Sequence, residues 1–166
     1  MRYFFLFMFI SLLSCGDSSK MDFQEEEVLK VYDADLIAAP SDGLVYLKKD
    51  MTPVTGIVIA RNYNNQIISK STYKLGRCHG LIQSWFDSGQ LKHRSNFKEG
   101  KINGLYEEWY ENGQLKVKEK YKNGKKHGTA KSWYSSGQIM YEKQYNQDLL
   151  IGQKCWNEKG NEMDCH

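Results

Sequence analysis

The chain reads as an all-β protein, an elongated twisted antiparallel sheet of stacked 24-residue β-hairpin units of one kind. Three observations predict it. Glycines recur at a fixed interval, aromatic residues recur at fixed offsets from those glycines, and no run in the body keeps a helical period. An aromatic content of 13%, with 11 Tyr and 4 Trp, points the same way, because aromatic residues favour strands.

Gly56, Gly80, Gly104, Gly128 and Gly152 are spaced by 24 residues. Trp85, Trp109 and Trp133 follow their glycines at one common offset, and Phe86, Tyr110 and Tyr134 come next. Gly89-Gln90, Gly113-Gln114 and Gly137-Gln138 form a further column, followed by Ile67, Leu91, Leu115 and Ile139. Tyr73, Phe97, Tyr121 and Tyr145 form another, and Gly76, Gly100 and Gly124 the last. The first unit replaces Gly-Gln by Asn65-Gln66. In the last unit Trp156 and Gly160 fall one place early. Atypical ends are expected of an array whose terminal units must cap it.

Each unit supplies two turns. Gly89, Gly113 and Gly137 follow Asp-Ser, Glu-Asn and Ser-Ser, which predicts a three-residue loop with Gly in the left-handed position. Lys98-Glu-Gly-Lys101 and Lys122-Asn-Gly-Lys125 predict the return turns. The runs between turns have strand length, and no Pro follows Pro53 to interrupt them. Strand alternation predicts one apolar stripe of Leu81, Trp85, Leu91 and Phe97, then Leu105, Trp109, Leu115 and Tyr121, then Thr129, Trp133, Ile139 and Tyr145. Burying one such Trp or Leu contributes about 1.5–3 kcal/mol, too little for a lone hairpin but enough for stacked ones.

The opposite parity carries Phe86, Tyr106, Tyr110 and Tyr134 with Lys92, Arg94, Lys116, Lys118 and Lys120. This is the candidate binding face. Its chemistry suits an acidic protein partner, an anionic lipid headgroup, or a glycan stacking on Tyr. The alternative is a face that is merely solvated.

Three segments are predicted: a lipoprotein signal peptide over 1–14, an acidic tether over 15–42 and the repeat domain over 43–166. Arg2 precedes an apolar run from Tyr3 to Leu13, which is too short to span a bilayer as a helix and has the length of a signal-peptide core. It leads into Leu12-Leu13-Ser14-Cys15, which resembles a bacterial lipobox and makes Cys15 the candidate lipidation site. Multiple acyl chains there would give a stable membrane anchor. An ordinary secretory signal, or a buried strand with a chance Cys, remains the alternative. Gly16 after Cys15 supplies no acidic residue, so the expected destination is the outer membrane of a bacterial envelope, on the periplasmic or the surface side. From Gly16 to Asp42 the net charge is −6, and from Gly43 onward it is +8. The tether is therefore expected to repel itself and extend, with a short helix or strand around Val28–Ile37.

No catalytic constellation, metal site or cofactor is predicted. His79 and His127 share one repeat position, a turn, and do not converge as metal ligands must. His93 has no nucleophile or acid at motif spacing, and His166 is terminal. Glu107 and Glu108 are neighbours, so a strand points them to opposite faces. Cys155 and Cys165 flank the terminal turn and are a candidate disulfide. A loop over Lys159–Asn161 sets them opposite one another, whereas a loop closed by Gly160, as in the other units, offsets them by two places. Cys78 sits in a turn and stays single. Nucleic acid fits poorly, given a net charge of only +3 and an exported chain.

Gly-x-x-x-x-Trp-Tyr-x-x-Gly-Gln-Leu followed by Tyr-x-x-Gly-Lys-x-x-Gly resembles the MORN-repeat variant of bacterial YwqK-type proteins, which are labelled antitoxin components. The resemblance runs from about Leu44 to Cys165. It implies a sheet of consecutive hairpins and binding or scaffolding rather than catalysis. The expectation is a non-catalytic envelope lipoprotein presenting its sheet to a protein partner. The alternatives are a toxin neutraliser, by the family label, and a binder of anionic lipid or glycan.

Overall fold

The computed structural model describes residues 30–34, 37–38, 40–41 and 43–165. The signal peptide, Cys15, most of the acidic tether and His166 lie outside the described residues. The strands are β1 Val31–Asp33, β2 Ile37–Ala38, β3 Tyr46–Leu47, β4 Gly56–Arg61, β5 Ile67–Lys74, β6 Arg77–Trp85 and β7 Leu91–Lys98. They continue with β8 Lys101–Trp109, β9 Leu115–Lys122, β10 Lys125–Lys126, β11 Gly128–Trp133, β12 Ile139–Asn146, β13 Leu149–Trp156 and β14 Glu162–Met163. From β4 onward, neighbours in sequence are neighbours in one elongated 12-stranded sheet, with β1 at one end and β14 at the other. β2 and β3 form a separate two-stranded ribbon.

Both turn types follow from their glycines. The loops after β4, β6, β8, β11 and β13 place Asn65, Gly89, Gly113, Gly137 and Gly160 at positive φ. In each of these loops the residue opening it donates its N–H across to the residue closing it, as Phe86 does to Gln90 O at 2.9 Å. The return turns are tighter. Leu75-Gly76, Glu99-Gly100, Asn123-Gly124 and Gln147-Asp148 all have positive φ at both central residues, the two-residue loop that matches strand twist. The N–H groups of Gly76, Gly100, Gly124 and Asp148 donate to Val54, Cys78, Ile102 and Lys126 O, at 2.8–2.9 Å. Donors and acceptors both advance by 24 residues, so each return turn is tied to the preceding hairpin.

Gly56, Gly80, Gly104 and Gly128 stand directly across the ladder from Tyr73, Phe97, Tyr121 and Tyr145. An aromatic ring opposite a strand glycine restores the packing that the missing side chain forfeits. This explains why those two columns keep step.

Three expectations are corrected. The sheet is not wholly antiparallel, because β1 pairs with β4 in parallel. It also begins inside the segment read as tether, since Val31–Asp33 is its first strand. Third, the apolar stripe is not one buried face. Leu81 pairs with Asn96, so Phe97 lies on the other side of the sheet from Leu81. A bulge at each loop shifts the register, as between Ser84 and Trp85, and resets the parity. Leu81 and Leu105 are 38% and 39% exposed. Among the described residues the buried hydrophobic side chains are Val54 and Ala130 alone. Among the described residues no second layer covers the sheet. The tryptophans nevertheless occupy equivalent places on successive hairpins, with Trp85, Trp109 and Trp133 opposite Leu91, Leu115 and Ile139.

Candidate functional site

Direct cross-strand partners share a face, and the registers trace one unbroken rung across the sheet. It runs Lys70, Gln83, Arg94, Glu107, Lys118, Lys131, Glu142 and Lys154, one residue per strand. Glu107 is buried at its centre, held by Arg94 Nη2 at 2.5 Å and Lys118 Nζ at 3.1 Å. Burial by itself would raise the Glu107 carboxyl. Hydrogen bonds and positive charge from Arg94 and Lys118 outweigh it and hold the group below the usual carboxylate range. Further along, Lys131 Nζ lies 2.8 Å from Glu142.

Lys118 and Lys131 are therefore directly opposed like charges, an arrangement a sheet disfavours. Lys118 is paired with the buried Glu107, which it shares with Arg94, and Lys131 with Glu142. Beside them Leu105, Lys118, Glu119, Lys120, Thr129 and Lys131 line a shallow concavity that is open to solvent.

The reverse face is different in kind. Tyr106 donates to Glu108, Tyr121 Oη to Glu119 at 2.6 Å, and Lys126 Nζ also reaches Glu119 at 2.6 Å. The His93 and Tyr106 rings are 4.9 Å apart. Burial lowers the His93 pKa, partly opposed by the charge of Glu108. Burial and the same carboxylates raise the Tyr106 and Tyr121 phenols. These groups satisfy one another. Glu107 and Glu108 do point to opposite faces, one to Arg94 and the other to Tyr106.

The candidate binding residues are thus divided. Arg94 and Lys118 lie on the charged rung, and Lys120 lies beside it. Tyr106 lies on the reverse face, because it pairs with Ser95 and Glu119. Phe86, Tyr110 and Tyr134 stand where the loops begin. Lys92 lies over Phe86 at 5.3 Å and Lys116 over Tyr110 at 5.8 Å. The Tyr110 hydroxyl donates to Trp133 O at 2.9 Å and that of Tyr134 to Trp156 O at 3.0 Å. Those two hydroxyls tether one hairpin to the next. Leu105, Glu107, Thr129, Lys131 and Glu142 belong to the site and were not singled out from sequence. A usable signal existed. Two columns of the repeat carry matched residues, Gln83 with Arg94, Glu107 with Lys118 and Lys131 with Glu142, and charge is complementary within the latter two pairs.

Cys155 and Cys165 form a disulfide, with Cα atoms 5.4 Å apart. Gly160 closes the loop as in the other units, and Cys155 pairs with Met163. The two-place offset is absorbed because the strand ends at Met163, freeing Cys165 to turn back. Cys78 is the free cysteine among the described residues, and burial raises its thiol pKa.

Residues 79–99, 102–123 and 126–147 each match the MORN repeat variant. This part of the chain is a MORN-repeat domain. The three MORN matches coincide with the hairpins β6–β7, β8–β9 and β10–β12. The flanking hairpins share the same turn hydrogen bonds although their sequences depart from the repeat. Comparison with curated proteins finds no match. MORN-repeat domains are characteristically non-catalytic scaffolds. Among the described residues no group of three or more His, Cys, Asp or Glu is placed to hold a metal ion, and no helix is long and apolar enough to cross a membrane.

Proposed function

We propose that this chain is a cell-envelope lipoprotein that presents the charged rung of its MORN-repeat sheet to a protein partner. The observation that carries the reading is the concavity at Leu105, Lys118, Glu119, Lys120, Thr129 and Lys131, in which the Glu119 carboxylate is already engaged by Tyr121 and Lys126. Two opposed lysines flank it, Lys118 paired with the buried Glu107 and Lys131 with Glu142. An exposed leucine lies within reach of both. A partner offering an acidic side chain beside an apolar one relieves the Lys118–Lys131 repulsion and covers Leu105 in one contact. The envelope part of the proposal rests on the lipobox-like Leu12-Leu13-Ser14-Cys15. The antitoxin role rests on a family label alone and forms no part of this reading.

The test places a photo-crosslinking residue at Leu105 or, on the reverse face, at Val117, in membranes of the native host. Adducts to a discrete protein from position 105, absent from 117 and reduced at least tenfold by Lys118→Glu with Lys131→Glu, support the proposal. Equal labelling from both faces, or no loss on charge reversal, refutes it. Mass spectrometry of the N-terminal peptide tests acylation at Cys15 separately.

A further inference from the structure

The long edges of the sheet differ in charge. All the return turns lie along one edge, and there Lys74 faces Arg77, Lys98 faces Lys101 and Lys122 faces Lys125. All six are exposed, and among the described residues none makes an ion pair within 4.0 Å. Directly opposed like charges destabilise a ladder, and here they recur in three successive turns. The acids on this edge are Glu99 and Asp148, and the Asp148 carboxylate is committed to the Lys126 N–H. The opposite edge carries Asp87, Glu111 and Glu158 in its loops, with Lys159 beside Glu158 as the one base there among the described loop residues.

The chain enters the sheet at the basic edge. β1 runs parallel to β4, and Ile57 donates to Lys30 O at 2.8 Å, so Lys30 lies at the end of the sheet where the return turns lie. The residues just before Lys30 include Asp22, Glu25, Glu26 and Glu27, and they lie outside the described residues. Chain length sets their reach. At about 3.3 Å per residue, Glu27, Glu26 and Glu25 come within roughly 10–17 Å of Lys30, and Asp22 within roughly 26 Å. With strands about 4.8 Å apart, the Lys74–Arg77 turn lies roughly 10–14 Å along the edge and the Lys98–Lys101 turn roughly 19–24 Å. The two series are opposite in charge, and at full extension the acids reach the distances at which the turns lie.

We propose that the return-turn edge is a docking surface for an acidic peptide segment, and that its resident occupant is the chain's own Asp22–Glu27. Docking offsets the opposed lysines with carboxylates supplied in cis. An external acidic segment has to displace it. This site lies on a different part of the sheet from the charged rung and stands whether or not a partner binds there.

The test is zero-length carboxyl-to-amine cross-linking of the full chain, mapped by mass spectrometry. The expected products join Glu25–Glu27 to Lys74, and Asp22 to Lys98 or Lys101, in preference to Lys116, Lys118 and Lys120. They should fade in 1 M salt, where screening acts within about 3 Å. A synthetic Asp22–Glu27 peptide added in trans should bind the variant Glu25→Gln/Glu26→Gln/Glu27→Gln at least fivefold more tightly than the unaltered chain. Cross-links spread evenly over face and edge lysines, or equal peptide affinity for both chains, overturns the proposal.

Discussion

Removing the hydroxyl of Tyr110 or Tyr134 cuts a bond between consecutive hairpins while leaving every strand intact. Tyr110 Oη donates to Trp133 O at 2.9 Å and Tyr134 Oη to Trp156 O at 3.0 Å. A neutral hydrogen bond of this kind contributes about 0.5–1.5 kcal/mol net, so each Tyr→Phe change should cost about 1 kcal/mol. The two tethers join different hairpins, so the double variant should cost about 2 kcal/mol, additive to within about 0.5 kcal/mol. The sequence also provides the reverse experiment. Phe86 holds the equivalent place one unit earlier without a hydroxyl, so Phe86→Tyr should add a tether to Trp109 O and gain up to about 1 kcal/mol. Urea unfolding followed by tryptophan fluorescence reads all three, because Trp133 and Trp156 own the accepting carbonyls. The midpoint should move while the slope stays constant. If both Tyr→Phe variants stay within about 0.3 kcal/mol of the parent, or Phe86→Tyr destabilises, the tether reasoning is refuted.

Three further outcomes are expected. Glu107 titrates below its unfolded value of 4.5, so its contribution is present above that pH and is lost as pH falls through the folded value. A stability profile should decline below about pH 4.5, and Glu107→Gln should flatten that decline while costing about 1–2 kcal/mol at neutral pH. Gly56→Ala places a Cβ 2.3 Å from Lys30 O at a φ of 143°. It should detach β1 and cost more than 1 kcal/mol, seen as faster amide exchange at Ile57. Cys155→Ser with Cys165→Ser should release β14 alone. The terminal hairpin should lose protection, with up to about 3 kcal/mol lost locally and β4–β9 unchanged, as exchange mapping can show.

The repeat was legible because its punctuation is chemical. Left-handed turns demand Gly89, Gly113 and Gly137, and the return turns demand Gly76, Gly100 and Gly124, so hairpin order could be read from spacing alone. Faces were not legible in the same way. A single bulge per hairpin shifts Phe97 to the side away from Leu81, and the sequence carries no separate mark for the extra residue. Burial was overestimated for a related reason, since strand alternation implies a covered face while the covering layer is a tertiary fact. The strand Val31–Asp33 falls within the short helix or strand expected around Val28–Ile37, but the pattern of so short a segment carries no mark of its parallel pairing with β4. Of the nine candidate binding residues, Arg94 and Lys118 lie on the charged rung and Lys120 beside it. Tyr106 fell on the reverse face for the parity reason already given, and Tyr110 and Tyr134 proved to be structural. Glu107, the centre of the rung, was read only as a neighbour of Glu108. Its role depends on Arg94 and Lys118 meeting it from either side, which only the registers reveal.

Amide hydrogen exchange on the native chain tests the coupling of the units most directly. The N–H groups of Gly76, Gly100, Gly124 and Asp148 sit in the return turns, buried at Gly76 and exposed at the other three, and each donates to a carbonyl of the segment one repeat earlier. If the hairpins hold one another in one continuous sheet, these four amides exchange slowly and with similar protection to strand amides such as Gln83 and Lys118. If they exchange at free-peptide rates while the within-hairpin loop amides of Gly89 and Gly113 stay protected, the hairpins fold singly and the sheet described here does not exist in solution.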